Sequence, residues 1–300
     1  MLENFIQYLR YEKSYSSYTV LSYKKDIEQF IDFLKENKLH AKIETVTSDE
    51  IRLWAVALME KNAPKSVSRK LSSLKSFYRY LLKSNTVTKN PTTCIAAPRR
   101  GERLPNFFSE KEMNLQQEHK IFVHETEFEA ERNDLIIEML YQTGMRRSEL
   151  ISLKDSHLDF YRKTLNIFGK RKKERIMPLG EKLLEQILHY IEMRNKEIPR
   201  RNDNFFILKN GKAMYPEAIY NIVVRRMGAV TTQEKHSPHI LRHTFATAML
   251  NNGAELSSVK ELLGHSSLAS TQVYTHITFE ELQKIYRKAH PRAEKQENFG

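Results

Sequence analysis

A chain of 300 residues with 40% hydrophobic content can pack about two domains, which excludes a disordered polymer. With 49 Lys and Arg against 37 Asp and Glu, its net charge of +12 points to a polyanionic partner. The single cysteine, Cys94, excludes an internal disulfide and a Cys-rich zinc site. With no leader-like start and no membrane-length apolar run, a reducing, cytoplasmic protein without membrane insertion is expected.

Helical periodicity over residues 1 to about 11, 18 to about 37, 48 to 61 and 64 to 83 predicts a compact four-helix domain. The third helix opens at Thr47-x-x-Glu50, a capping box in which hydroxyl and carboxylate satisfy amides orphaned at a helix start. In the fourth, Val67, Leu71, Leu74, Tyr78 and Leu81 alternate at spacings of four and three and so share one face. Between residues 61 and 83 there are seven basic residues and no acid. Lys65, Arg69, Lys70, Lys75 and Arg79 could form a merely solvated face, but a helix without a compensating acid is better explained by phosphate contacts. Ser66, Ser68, Ser72, Ser73 and Ser76 add short donors able to approach a DNA backbone or base edge.

Residues 98 to 106 read as a linker, because two prolines and a glycine interrupt the periodicity and Arg99 and Arg100 keep the segment positive and available to DNA. It separates a domain over 1 to 97 from one over 107 to 300. Residues 109 to about 129 predict a glutamate-rich surface helix without obvious chemistry. The next helix, about 133 to 142, has Leu135, Ile136, Met139 and Leu140 as its core face and ends before Gly144, delivering Arg146 just beyond the turn. Residues 158 to 179 alternate weakly around 169 to 173, with Leu165, Ile167 and Phe168 before and Ile176 and Met177 after, which predicts a β-hairpin. The remainder reads as helical.

Ser237-Pro238 starts a helix, serine as N-cap and proline at the first helical position, so His239 and Arg242 fall three apart on one face where one oxyanion could touch both. His239 and His243 could instead ligate a metal, but no glutamate follows His239 and no cysteine or carboxylate cluster is near, which disfavours a metal. Val259, Leu262 and Leu263 edge a helix stopped by Gly264, placing His265 at the start of the next segment and Tyr274 nine residues further. Two guanidiniums, two imidazoles and a phenol can hold a phosphodiester, stabilise its transition state and attack it without a metal. A phenol is a poor nucleophile at neutral pH, yet neighbouring guanidiniums favour its phenolate. The leaving sugar oxygen needs a proton, which a lysine in the turn Lys170-Arg171-Lys172-Lys173 could donate, although such a turn is more often simply solvated.

These residues resemble the tyrosine recombinase (phage integrase) family, and most of all its Xer recombinases. The likeness spans nearly the whole chain: Gly-Met-Arg-x-Ser-Glu-Leu at Arg146 and Glu149, Gly169-Lys170 followed by Lys173-Glu174-Arg175, Ser-Pro-His-x-Leu-Arg-His-Thr-Phe-Ala-Thr at 237 to 247, Leu-Gly-His-Ser-Ser at 263 to 267, Thr-Gln-Val-Tyr-Thr-His at 271 to 276, and His290-Pro291-Arg292-Ala293. Two departures stand out. Arg171 occupies a position often held by glycine in the family, so Lys172 or Lys173 could take the acid role, and residues 109 to 132 match poorly.

The resemblance implies a mainly α fold: an N-terminal four-helix, SAM-like core-binding domain that clamps DNA, and a mixed α+β catalytic domain with a small antiparallel sheet. It implies that Arg146, His239, Arg242 and His265 surround the scissile phosphate, with Glu149 in support. Lys170 would protonate the leaving 5′ oxygen and Tyr274 would become a 3′ phosphotyrosine, without cofactor, metal or ATP. Lys172 and Lys173 join the DNA-binding candidates. The implied partners are double-stranded DNA and a homo- or heterotetramer on two DNA sites, with a second Xer-type recombinase and the translocase FtsK as further candidates. An apolar stripe at Phe279, Leu282, Ile285 and Tyr286 could cap its own domain or enter a neighbouring protomer, and the resemblance favours exchange. Chromosome dimer resolution at a dif-like site leads, ahead of integration of a mobile element and of a nicking and closing topoisomerase. A DNA-binding regulator that has lost catalysis is the alternative of another class.

Overall fold

A computed structural model of the chain describes residues 1–39, 42–96, 98, 106–118, 122, 125–169, 174–199, 202–233, 235–264 and 278–293. The chain divides into two compact units, Met1–Arg103 and Leu104–Gly300. Most of the expected linker, with Arg99 and Arg100, lies outside the described residues.

The first unit consists of α1 (Leu2–Tyr11), α2 (Ser17–Glu36), α3 (Ser48–Lys61) and α4 (Pro64–Lys83), each within a residue of the bounds expected from periodicity. Their shared core includes Phe5, Ile27, Phe30, Trp54, Leu71, Leu74 and Tyr78, with the Trp54 and Phe30 rings 4.9 Å apart. The capping box at α3 is present: the Glu50 amide donates to Thr47 Oγ1 at 3.3 Å and the Thr47 amide to Glu50 Oε2 at 2.8 Å.

The basic face of α4 needs correction. Its compensating acid exists, but on α2: the buried Asp26 carboxylate accepts from Arg69 Nη2 at 2.8 Å, Lys70 Nζ at 3.3 Å and Ser73 Oγ at 2.7 Å. Lys70 is buried and also donates to Gln29, so this ammonium is committed within the helix pair rather than presented to DNA. Arg69 keeps an exposed edge while donating to Ser22 Oγ at 2.7 Å, and Lys75 donates to the Ile95 carbonyl at 2.7 Å. Lys65 and Arg79 are exposed, as is Cys94.

The second unit is built around α6 (Glu127–Thr143), with α5 (Glu110–Glu118) before it and the short α7 (Arg147–Ile151) after it. Residues 109 to 129 are therefore not one helix. A second capping box, Thr126 with Glu129, restarts the chain after a break, so α6 begins well before the expected residue 133. Leu135, Ile136, Ile137, Met139, Leu140 and Tyr141 are all buried, as in a helix covered on every side. Around it pack α8 (Glu181–Glu197), α9 (Pro216–Gly228) and α10 (Pro238–Asn251). Residues 202 to 214, expected to be helical, instead carry isolated bridges between Lys154 and Asn204 and between Ile207 and Ala213.

The hairpin is a three-stranded antiparallel meander of β1 (Leu158–Asp159), β2 (Thr164–Phe168) and β3 (Glu174–Pro178). Leu165 pairs with Met177 and Ile167 with Arg175. Ile176 points outward at 44% exposure, and Arg175 takes the inner side. After α11 (Leu256–Leu263), the final helix α12 (Phe279–Ala289) buries Leu282, Tyr286 and Ala289 in the core of its own unit, against α10 and β3. Of the expected apolar stripe, Leu282 and Tyr286 thus pack into their own unit, while Phe279 and Ile285 are half-buried.

Candidate active site

The site begins at the left-handed turn that ends α6. Gly144 has φ +56°, and a Cβ there would lie 2.6 Å from Phe245 Cδ1 and 2.7 Å from Leu263 Cδ2. Glycine thus allows α10 and the end of α11 to close against the tip of α6. Two residues later, Arg146 is the N-cap of α7, and Glu149 reaches back to accept from the Arg146 amide at 2.9 Å.

Glu149 is buried between two guanidiniums. Its Oε1 accepts from Arg146 Nη1 at 2.7 Å and its Oε2 from Arg175 Nη2 at 2.8 Å. Burial works against the charge, but these bonds and the two positive charges hold the carboxyl below its ordinary range.

Arg242, on the second turn of α10, donates through Nη1 to the Gly144 carbonyl at 2.5 Å and through Nη2 to the Leu263 carbonyl at 2.8 Å. One guanidinium therefore joins the C-terminal ends of α6 and α11, where carbonyl dipoles favour a cation. Burial pulls its pKa down to about 10, helped by the positive charges of Arg146 and Arg175 and opposed by Glu149. It remains fully charged at neutral pH. Three guanidiniums around one carboxylate leave two positive charges in excess, in a partly desolvated setting. That is the electrostatic arrangement an oxyanion needs.

His239 is exposed on the first turn of α10, three residues before Arg242. It lines a cavity of about 510 Å³ together with Arg147, Tyr220, Val224, Lys235 and His236. Pro238 takes the first helical position as expected, but the Ser237 hydroxyl makes no capping bond. Gly264 ends α11 in the left-handed conformation, φ +64°. The structure thus brings Arg146, Glu149 and Arg242 together, with His239 on the same helix as Arg242. Lys170, Lys172, Lys173, His265 and Tyr274 lie outside the described residues. Among the described residues, no group of three or more His, Cys, Asp or Glu could hold a metal ion.

Arg175 is the member of the cluster that sequence reasoning left without a role. A signal existed: in a strand alternating about Met177, position 175 shares the inner face, and a charge there requires a buried partner.

The sequence profile of the phage integrase family matches residues 112–281, and that of the phage integrase N-terminal SAM-like domain matches residues 2–85. The chain belongs to the phage integrase family, the tyrosine recombinases. Its curated relatives include proteins called tyrosine recombinase XerC. That of Pediococcus pentosaceus is 40% identical over 305 residues, covering 98% of each chain. That of Anoxybacillus flavithermus is 38% identical over 299 residues, 97% of this chain and 98% of its own. The Chlorobaculum parvum protein is 37% identical over 317 residues, with coverage of 97% and 94%. The chain is accordingly a site-specific tyrosine recombinase. Its fold is shared by XerH recombinase bound to palindromic difH in a post-cleavage complex, with TM-score 0.74 and 22% identity over 95% of this chain and 83% of that one.

Proposed function

We propose that the chain cuts and rejoins double-stranded DNA at a specific site through a 3′ phosphotyrosine on Tyr274. The arginine cluster built on Glu149 supports this reading most directly, because it sets fixed positive charge where α6, α10 and α11 converge. In this reading Arg146 and Arg242 hold the non-bridging oxygens of the scissile phosphate, His239 and His265 complete the ring, and Glu149 fixes the orientation of Arg146. The Tyr274 oxygen attacks phosphorus, the bond from phosphorus to the 5′ oxygen breaks, and Lys170 gives that oxygen its proton. One phosphodiester is exchanged for another, so the freed 5′ hydroxyl of a partner strand can reverse the step without ATP. The first domain, residues 1 to 97, clamps the DNA, with Lys65, Arg79 and the exposed edge of Arg69 as backbone contacts.

The biological setting that fits is chromosome dimer resolution at a dif-like site in the cytoplasm, by a tetramer on two DNA sites that could include a second Xer-type recombinase and respond to an FtsK-type translocase. The near full-length match to curated XerC proteins supports this over integration of a mobile element. The test is to trap detergent-resistant adducts in the native host and sequence the attached DNA, with a Tyr274→Phe strain as control. Adducts at a single, nearly palindromic chromosomal site, absent from the control, are expected. Adducts spread over the ends of a mobile element would overturn the chromosomal role.

A further inference from the structure

We propose that Arg175 is a positioning residue for cleavage: by holding one oxygen of Glu149, it keeps that carboxylate from capturing Arg146 and ties the hairpin strand to the phosphate site. The inference rests on the reading that Arg146 holds the scissile phosphate.

Glu149 divides its two oxygens between two cations, Oε1 to Arg146 at 2.7 Å and Oε2 to Arg175 at 2.8 Å, with the Arg146 amide also on Oε2 at 2.9 Å. Arg146 is about one-third exposed and Arg175 one-tenth, so Arg146 is the one turned toward solvent and a ligand. A carboxylate with a single guanidinium neighbour forms the bidentate fork that matches both planes. Without Arg175, the buried Glu149 charge has Arg146 as its only nearby partner among the three guanidiniums that does not already join two helix ends. It would then draw further Arg146 donors onto itself and away from a phosphate. The excess positive charge of the cluster would also fall from two to one.

Arg175 is built into this place. Its stem lies over Gly264, where a Cβ would sit 3.1 Å from Arg175 Cδ, and its buried Nε has no acceptor among the described residues. In the sequence Gly264 immediately precedes His265, and β3 begins at Glu174, four residues after Lys170. The hairpin, the Arg146 turn and the end of α11 therefore meet at one side chain.

The full chain is tested for single-turnover adduct formation on a nicked duplex carrying the site recovered from host adducts, with DNA affinity and thermal midpoint measured beside it. Arg175→Gln is expected to lower the cleavage rate about 100-fold, the scale of a misplaced reacting group, with DNA affinity changed less than about threefold. Removing the stranded carboxylate should then help: Arg175→Gln with Glu149→Gln is expected to cleave faster than Arg175→Gln alone. A merely structural role would make the two losses compound. Arg175→Lys, which keeps the charge but not the fork, should fall between wild type and Arg175→Gln, and it stands in should the glutamine variant not fold. Wild-type cleavage by Arg175→Gln, or a double variant no faster than the single one, would overturn the proposal. An Arg146→Gln variant that cleaves normally would instead overturn the site reading beneath it.

Discussion

Arg242 is a scaffold residue to which the proposed mechanism also gives a part in the chemistry. Its guanidinium bonds the carbonyls that end α6 and α11, a geometry that a lysine ammonium on a flexible stem cannot reproduce. Arg242→Lys should therefore lose about 100- to 1000-fold in single-turnover adduct formation while still binding DNA, as a lost oxyanion donor does. Gly144→Ala should destabilise the second unit by about 2 to 5 kcal/mol, because the left-handed conformation costs an L residue about 1 to 2 kcal/mol and overpacking against Phe245 adds to it. A urea titration followed by circular dichroism reads that loss, and an unchanged midpoint would contradict the packing described. Arg146, Glu149, His239 and Arg242 were legible in the sequence because their motifs are short and local. Arg175 was not, because its partner lies 26 residues away across the hairpin and only the pairing reveals it.

Periodicity located the helices of the first unit to within a residue, since each buries one face on its neighbours. It failed for the charge on α4, where the compensating Asp26 lies on another helix at a long sequence separation. Asp26→Asn would leave Lys70 buried beside a weaker acceptor and cost about 3 kcal/mol, as breaking a buried ion pair does. Trp54 is the only tryptophan and sits in the core of this unit, so its fluorescence during denaturation reads that loss selectively. Retained stability would mean that Lys70 and Arg69 do not depend on Asp26. In the second unit, α6 starts earlier than expected because Glu127, Glu129 and Glu131 read with the glutamate-rich segment before them, and Arg132, polar yet buried, looks like a surface residue. The final helix behaves as a core element: removing residues 279 to 300 would expose the surfaces now covered by Leu282, Tyr286, Ala289 and Ala293. Loss of folding in the second unit with the Trp54 transition intact is the expected outcome, and a truncated chain that keeps its full helicity would argue against it.

Over the whole molecule, stability should respond to pH through Asp134, which lies 3.3 Å from Arg226 Nε and accepts from Gln116 at 3.1 Å. Burial pushes its carboxyl up to about 7 despite Arg226, with Glu131, Glu125 and Glu138 adding to the rise. The folded chain thus binds this proton more tightly than the unfolded one. Its contribution falls as pH rises from the ordinary carboxylate range to about 7 and is level beyond, at up to about 1.4 kcal/mol per pH unit. Asp134→Asn should flatten the thermal midpoint between pH 5.5 and 7.5 relative to wild type, and parallel profiles would count against this origin. Function is a property of the same scale, because the proposed phosphate site draws on α6, α7, β3, α10 and α11 at once. The most direct measurement is to digest the purified protein–DNA adduct with protease and nuclease and identify the modified peptide and the DNA end it carries by mass spectrometry. A nucleotide joined through its 3′ phosphate to Tyr274 is the expected result. A link to another residue, or to a 5′ phosphate, would contradict it.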